Sequence, residues 1–201
     1  GASQTWDLAD SRSVYVGAGL SSSAGTFLTL ANLGRVYLFN ATAYGETVIT
    51  NYSGVLYLYN SGSLGNCTTV YLKSTHNTSL DGGFNGGAAV GLNNVSIPGT
   101  VSLVMTSSVI PAISSALFCT GGSSTWNGPI TLTGSDGNVF FNNGGNTLNI
   151  VGNITGTPGS ANFRGAGSTV VSGTINLGTG ELRKRDSDGR LTINSSGNTL
   201  I

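Results

Sequence analysis

The chain has 201 residues and a formal net charge of zero at pH 7, and only 8% of its residues are charged, against roughly a quarter in ordinary globular proteins. Without a positive field, binding to nucleic acid or to an anionic membrane surface is not expected. Glycine accounts for 32 residues, yet 38% of the chain is hydrophobic. That is enough apolar surface to form a core, which excludes a disordered chain.

Short runs of β-branched, aromatic and other apolar residues follow one another along the chain, separated by Gly, Asn and Ser. Such runs are typical of β-strands, and no stretch sustains the 3.6-residue period of a helix. The runs are SVYVG from Ser13, TFLTL from Thr26, ETVIT from Glu46, TVYLK from Thr69, VSLVM from Val101, PITLTG from Pro129, NTLNIVG from Asn146, GTINLG from Gly173 and RLTIN from Arg190. The chain is therefore predicted to be all-β. No apolar run approaches the roughly 18 residues that a membrane-spanning helix needs.

One of these runs is repeated. RVYLFN, at 35–40, returns at 55–60 as VLYLYN. Similar steps follow along the chain, from Leu38 to Leu58, on to Leu72 and then to Leu92, and later from Ile130 to Leu148 and from Ile175 to Leu191. Short strands with an irregular period of about 18 to 20 favour a parallel β-helix of about ten irregular coils over a sandwich. At about 4.8 Å per coil, it would be a rod of roughly 50 Å.

The repeat also predicts which side chains stack. Leu38 and Leu58 are expected to stack inside the coil, and the asparagines that close the two segments are expected at a corner. Four tyrosines are expected on the outer face, where they form either a strip on which sugars stack or a packing surface against a loop or a neighbouring subunit. They are Tyr37, Tyr57, Tyr59 and Tyr71.

Two segments, QTWDLADSRSVYVGAG at 4–19 and GRVYLFNATAYGETVITNYSGVLYLYNSGSLG at 34–65, resemble the autotransporter-associated β-strand repeat. Thr42 stands where that pattern usually has Asn. The segment 180–200 resembles the lead-in of a further repeat. The pattern of the family is met by Gly34, Val36, Leu38, Tyr44, Gly45, Thr47, Ile49, Gly54, Leu56, Leu58, Leu64 and Gly65.

The resemblance implies a right-handed parallel β-helix that is secreted or displayed on the cell surface of a bacterium with an outer membrane. It implies no catalytic residues. We expect a single β-solenoid domain over 1–201, with a first repeat-like part at 1–74, an irregular middle at 75–122 and a second repeat-like part at 123–201.

Few residues carry recognisable chemistry. His76 is the only histidine, and its nearest acid is Asp81, but no nucleophile motif accompanies them. One histidine and two distant cysteines are too few for a zinc site. The DSDG segment at 186–189 begins like a calcium loop but lacks the distal Glu. The sequence therefore predicts no enzyme, no cofactor and no metal.

Two further features each leave two interpretations open. Cys67 and Cys119 either form a disulfide, as in an extracellular protein, or are two separate small apolar residues. Seven of the sixteen charged residues lie close together near the end of the chain, either as a polar rim at the end of the solenoid or as half of an electrostatic contact. They are Glu181, Arg183, Lys184, Arg185, Asp186, Asp188 and Arg190.

These observations predict a non-enzymatic extracellular structural protein, a rod that can associate head-to-tail or laterally with copies of itself into a filament. The alternative is an adhesin or glycan-binding module that uses the tyrosine strip. Surface glycans and copies of the same chain are thus the expected partners, whereas nucleic acid and membrane insertion are not.

Overall fold

A computed structural model describes residues 3–9, 12–17, 25–31, 34–40, 48–52, 54–74, 78–80, 84–107, 115–134, 138–156, 159–186 and 188–195. All the regular elements in these ranges are short β-strands, so the predicted all-β class is confirmed. No helix long and apolar enough to cross a membrane occurs among them.

The chain passes through one sheet after another and then returns to the first. Sheet 1 contains β1 (Gln4–Asp7), β3 (Phe27–Ala31), β5 (Val48–Asn51), β7 (Thr69–Lys73), β12 (Ser102–Thr106), β15 (Ile130–Thr133), β18 (Ile154–Gly156) and β21 (Ile175–Asn176). Sheet 2 contains β2 (Ser13–Val16), β4 (Arg35–Leu38), β6 (Gly54–Leu58), β10 (Ala88–Asn93), β13 (Ala116–Gly121), β16 (Asn138–Asn142), β19 (Ala161–Arg164) and β22 (Leu182–Lys184).

A third sheet begins part-way along the chain. Sheet 3 contains β11 (Ser96–Ile97), β14 (Ser123–Trp126), β17 (Thr147–Ile150), β20 (Ser168–Val171) and β23 (Arg190–Ile193). Before β11, the third side of the coil after β6 is formed instead by a turn at 61–66, in which the buried Ser63 donates its hydroxyl to the Leu38 carbonyl at 3.1 Å. A hairpin of β8 (Thr78–Leu80) and β9 (Phe84–Gly86) is inserted between β7 and β10.

All pairings within the three sheets are parallel and join a strand to its counterpart one coil later, which confirms the predicted β-solenoid. The coil count is lower than the predicted ten, since sheets 1 and 2 have eight strands each. The coils are longer than the sequence spacing indicated. Arg35 pairs with Val55, as the repeat predicts, but Gly54 pairs with Ala88, because the hairpin is inserted between these two strands. At the same spacing of about 4.8 Å per coil, eight coils give about 38 Å rather than roughly 50 Å.

Ladders of apolar side chains fill the interior. The register of sheet 1 aligns Leu28, Ile49, Val70, Leu103, Ile130, Ile154 and Ile175, all at most 2% exposed. The register of sheet 2 aligns Val36, Leu56, Val90, Leu117, Phe140 and Phe163. Each residue stacks on its equivalent in the neighbouring coils, so apolar surface is buried from the second to the seventh strand of both sheets.

The predicted Leu38–Leu58 stack is present, and Leu58 is in register with Leu92. The step from Leu58 to Leu72 was wrong, since Leu72 lies in sheet 1 and stacks on Met105. The step from Leu58 to Leu72 follows the chain as it passes from sheet 2 to sheet 1.

The step from Ile130 to Leu148 was wrong for the same reason. Ile130 stacks on Ile154 within sheet 1, whereas Leu148 lies in sheet 3. The step from Ile175 to Leu191 likewise joins sheet 1 to sheet 3. Similar spacing along the chain therefore mixed residues of different sheets.

Glycines allow the coils to stack at their corners. Gly128, Gly152 and Gly173 each stand two positions before an isoleucine of the sheet 1 ladder, so they occupy one position in three successive coils. A Cβ on Gly152 would lie 1.8 Å from the carbonyl oxygen of Gly128, and one on Gly173 would lie 2.2 Å from that of Gly152. Backbones this close leave no space for a side chain. We call these three residues the glycine column.

Other corners use glycine in the same way. A Cβ on Gly180 would lie 1.9 Å from the carbonyl oxygen of Gly159, and one on Gly165 would lie 2.1 Å from that of Asn142. Gly165 also has a φ of +89°, a conformation that other residues rarely adopt. Much of the high glycine content therefore follows from close backbone approach at the corners.

Candidate functional site

The most distinctive surface is formed by aromatic residues on the outer face of sheet 2. Tyr15, Tyr37 and Tyr57 are in register on successive strands. Their neighbouring ring centroids are 4.6 Å apart, and the ring planes differ by only 11° and 7°. Equivalent positions in a parallel sheet place identical side chains one strand spacing apart, so the rings stack face to face along the axis.

A second column lies beside the first. Phe39 and Tyr59 each follow the end of their strand, and their ring centroids are 4.7 Å apart. Phe39 lies 6.3 Å from Tyr15 and 6.4 Å from Tyr37, so the two columns touch. We call these five residues the aromatic surface.

The aromatic surface is open at one end and closed at the other. Tyr15 is 66% exposed and Phe39 is 39% exposed, whereas Tyr57 is only 3% exposed. Next to Tyr57 in register is Gly91, and there the rings of Tyr57 and Phe118 meet edge to face at 5.8 Å. The two rings fill the space above Gly91, where a Cβ would lie 2.7 Å from Tyr57.

The structure thus brings together three of the four predicted tyrosines, Tyr37, Tyr57 and Tyr59, but not Tyr71. That residue lies on β7 in sheet 1, between Thr50 and Val104 in register. Lys73 lies beside it on the same strand, with its Nζ 5.5 Å from the centroid of the tyrosine ring.

Tyr15 and Phe39 belong to the aromatic surface but were missed. Both could have been found, since Tyr15 occupies in SVYV the place of Tyr37 in RVYL, and Phe39 occupies the place of Tyr59. The stacked geometry favours the packing interpretation for most of these rings, because a face that covers a neighbouring ring cannot bind a sugar.

The corner asparagines that follow the aromatic residues use different partners. Asn40 Nδ2 donates to the Gly17 carbonyl in the preceding coil, whereas Asn60 Oδ1 accepts from the Gly62 amide within its own turn, at 2.9 Å. Both lie at the predicted corner, but only Asn40 links one coil to another through these bonds.

The two cysteines are buried thiols, and no disulfide joins them. Cys67 Sγ lies 3.2 Å from the Thr69 carbonyl oxygen, and Cys119 Sγ lies 3.5 Å from that of Gly121. Both therefore act in the structure as small apolar residues with weak S–H donors, which is the second of the two interpretations.

The clustered charges lie on the last described coil. Lys184 continues in register the ladder of Phe140 and Phe163, and its Nζ donates to the carbonyls of Arg185 and Asp186. A charged residue at a core-facing position of an edge strand disfavours further strand pairing. This arrangement matches a polar rim.

Asp186 links the last coil to the one before it. One carboxylate oxygen, Oδ2, accepts from the Gly165 amide at 2.9 Å and lies 3.5 Å from Arg164 Nε. The hydrogen bond from Gly165 and, to a smaller extent, the Arg164 guanidinium lower the pKa of Asp186. Asp186, the first residue of the DSDG segment, thus links two coils.

This contact predicts a pH dependence. Because the folded pKa of Asp186 lies below the ordinary value of 3.8, its contribution to stability is complete above that pH and is lost as the pH falls through the folded pKa. We expect Asp186→Asn to reduce the fall in melting temperature between about pH 7 and pH 3. Asn tolerates the positive φ of 69° at this position. Thermal unfolding followed by circular dichroism tests this, with Glu181→Gln, a change at an exposed carboxylate paired with Arg183, as the control; an equal fall in both variants would contradict it.

The sequence offered one histidine and one nearby acid for catalysis. His76 and Asp81 lie outside the described residues. Across the described part of the chain, no three His, Cys, Asp or Glu side chains lie together so as to hold a metal ion.

Comparison with known proteins found no matching family model, no similar curated protein and no similar solved structure. The resemblance to the autotransporter-associated repeat stays a prediction from the quoted motifs.

Proposed function

We propose that this protein is a non-enzymatic, extracellular structural component, a β-solenoid rod that acts as a rigid spacer. The observation that carries the proposal is the continuity of the core. One ladder of sheet 1 begins with Gln4 on β1 and then has an apolar side chain on seven successive strands, from Leu28 to Ile175. Few charges interrupt the surface, and the hydrogen bonds between strands run along the axis.

The polar rim supports a rod that does not associate head-to-tail at its last described coil. In sheet 2 the apolar ladder reaches Phe163 and is followed by Lys184, so another coil placed there would have to bury an ammonium group. We therefore propose an isolated spacer as the principal form, and a head-to-tail filament as the form that the rim prevents.

Exchanging the rim lysine tests this proposal. Lys184→Val would continue the apolar ladder, and we expect particles that lengthen with protein concentration, measured by small-angle scattering and electron microscopy. Arg183→Val is the matched control, since it removes the same charge from the neighbouring position, which is in register with Asn162. We expect the wild type and this control to remain single particles about 38 Å long. Long fibres of the wild type would contradict the spacer and favour the filament.

A further inference from the structure

The face of the Phe39 ring that is directed toward the coil of β2 is left uncovered by the described residues of that coil. Val16 is in register with Leu38, so Gly17 occupies the position one coil before Phe39. Gly17 has no side chain to stack on Phe39, and a Cβ placed there would have no neighbour within 4 Å. The result is a notch with the Phe39 ring as its floor, Tyr15 as its side wall and the Gly17 backbone at its end.

Of the two glycines that interrupt the aromatic columns, only Gly17 leaves a ring face open. Gly91 also interrupts an aromatic column, but there Tyr57 and Phe118 close over the gap. At Gly17 no described side chain closes the gap, in agreement with the 39% exposure of Phe39. Tyr15, at the side of the gap, lies on β2, the edge strand of sheet 2, and is 66% exposed. An exposed apolar patch with a defined shape is a feature of binding surfaces.

We propose that this notch binds one pyranose ring of a neutral, equatorially substituted oligosaccharide, such as a β-glucan. The apolar C–H face of such a sugar would lie on Phe39, and its hydroxyl groups would face water and the Tyr15 and Tyr37 hydroxyls. The binding function adds to the spacer role and does not depend on it.

Charge and area both favour this occupant. The described residues that form the notch carry no charge, and the charged residue of β4, Arg35, is two positions before Tyr37, on the side away from Phe39. At about 150–250 Å² per aromatic side chain, the exposed parts of Tyr15 and Phe39 give roughly 200 Å². This is far below the roughly 800 Å² per partner of a stable protein interface, which disfavours a second copy of the chain.

Titration of the full chain with cellohexaose tests the inference, by saturation-transfer NMR and calorimetry. We expect saturable binding by the wild type. Gly17→Phe would fill the notch with a ring stacked on Phe39, and we expect at least a tenfold loss of affinity with an unchanged or raised melting temperature. Phe39→Leu would remove the floor and should lose binding to a similar extent.

Tyr71→Ala is the matched control, because it removes an aromatic ring from sheet 1 and should bind as the wild type does. If the wild type does not bind, or if Gly17→Phe binds equally well, the notch is not a sugar site. Because particle length is measured separately, that result would leave the spacer proposal standing.

Discussion

Phe140→Ala is expected to lower the free energy of unfolding by about 3–5 kcal/mol. Phe140 is completely buried, lies between Leu117 and Phe163 in register, and its ring stacks on Phe163 at 4.8 Å. Its removal would leave a cavity between coils whose spacing is fixed by strand hydrogen bonds, so the neighbours cannot collapse to fill it.

Urea unfolding followed by circular dichroism and by tryptophan fluorescence would measure this loss. The matched control is Phe27→Ala, since Phe27 is 48% exposed and its truncation is expected to cost less than about 1 kcal/mol. A cost below about 1 kcal/mol for Phe140→Ala as well would mean that the ladder is not tightly packed.

Gly152→Ala is the second change with a large expected effect. The added methyl would lie 1.8 Å from the Gly128 carbonyl oxygen and 2.3 Å from its carbonyl carbon. Gly173 stacks almost as closely on Gly152, so the corner is confined by backbone on both sides. Because no flexible side chain can move away, we expect a loss of about 3 kcal/mol or more, at or above the top of the usual range for overpacking.

The same substitution elsewhere separates the clash from the effect of alanine itself. Gly144 lies in a turn, and its Cβ would meet only the Ala166 Cβ, at an ordinary contact distance of 3.7 Å. Gly144→Ala is expected to be neutral or to stabilise by up to about 1 kcal/mol, since it restricts the unfolded chain. Equal urea midpoints for the two variants would show that the glycine column is not a steric requirement.

The solenoid could be predicted from the sequence because two of its early coils contain similar segments. RVYLFN and VLYLYN agree at three of six positions, which was enough to align them, and the Leu38–Leu58 and Tyr37–Tyr57 pairs are both present. The coil count could not be predicted in the same way. Spacing along a chain does not say which sheet a leucine belongs to, and the hairpin lengthens one coil without a change in composition.

The aromatic surface could be predicted only in part, for a geometric reason. Alternation along a strand tells which residues point outward, and so identifies Tyr37 and Tyr57. Whether a ring presents its face or its edge depends on what the adjacent coil places over it. The open notch results from the absence of a side chain at Gly17, and in a chain with 32 glycines no single one stands out.

The glycines that are required at the corners could not be identified from the sequence either. In the sequence, glycine separates the strand-forming runs, but the requirement at Gly152 comes from the carbonyl of Gly128, one coil earlier, and becomes visible only when the coils are stacked. Local turn preferences therefore could not separate Gly152 from a tolerant position such as Gly144.

The pairing pattern also determines how the chain can reach this structure. Each strand of the three sheets bonds only to its equivalents in the adjacent coils, so every pairing is between segments that are close along the chain. Closing a loop of this length loses less conformational entropy than pairing the two ends of a chain. Folding can therefore start at any well-packed pair of coils and proceed in both directions. For the same reason, duplication of one coil in the gene would lengthen the rod while leaving the contacts within other coils unchanged.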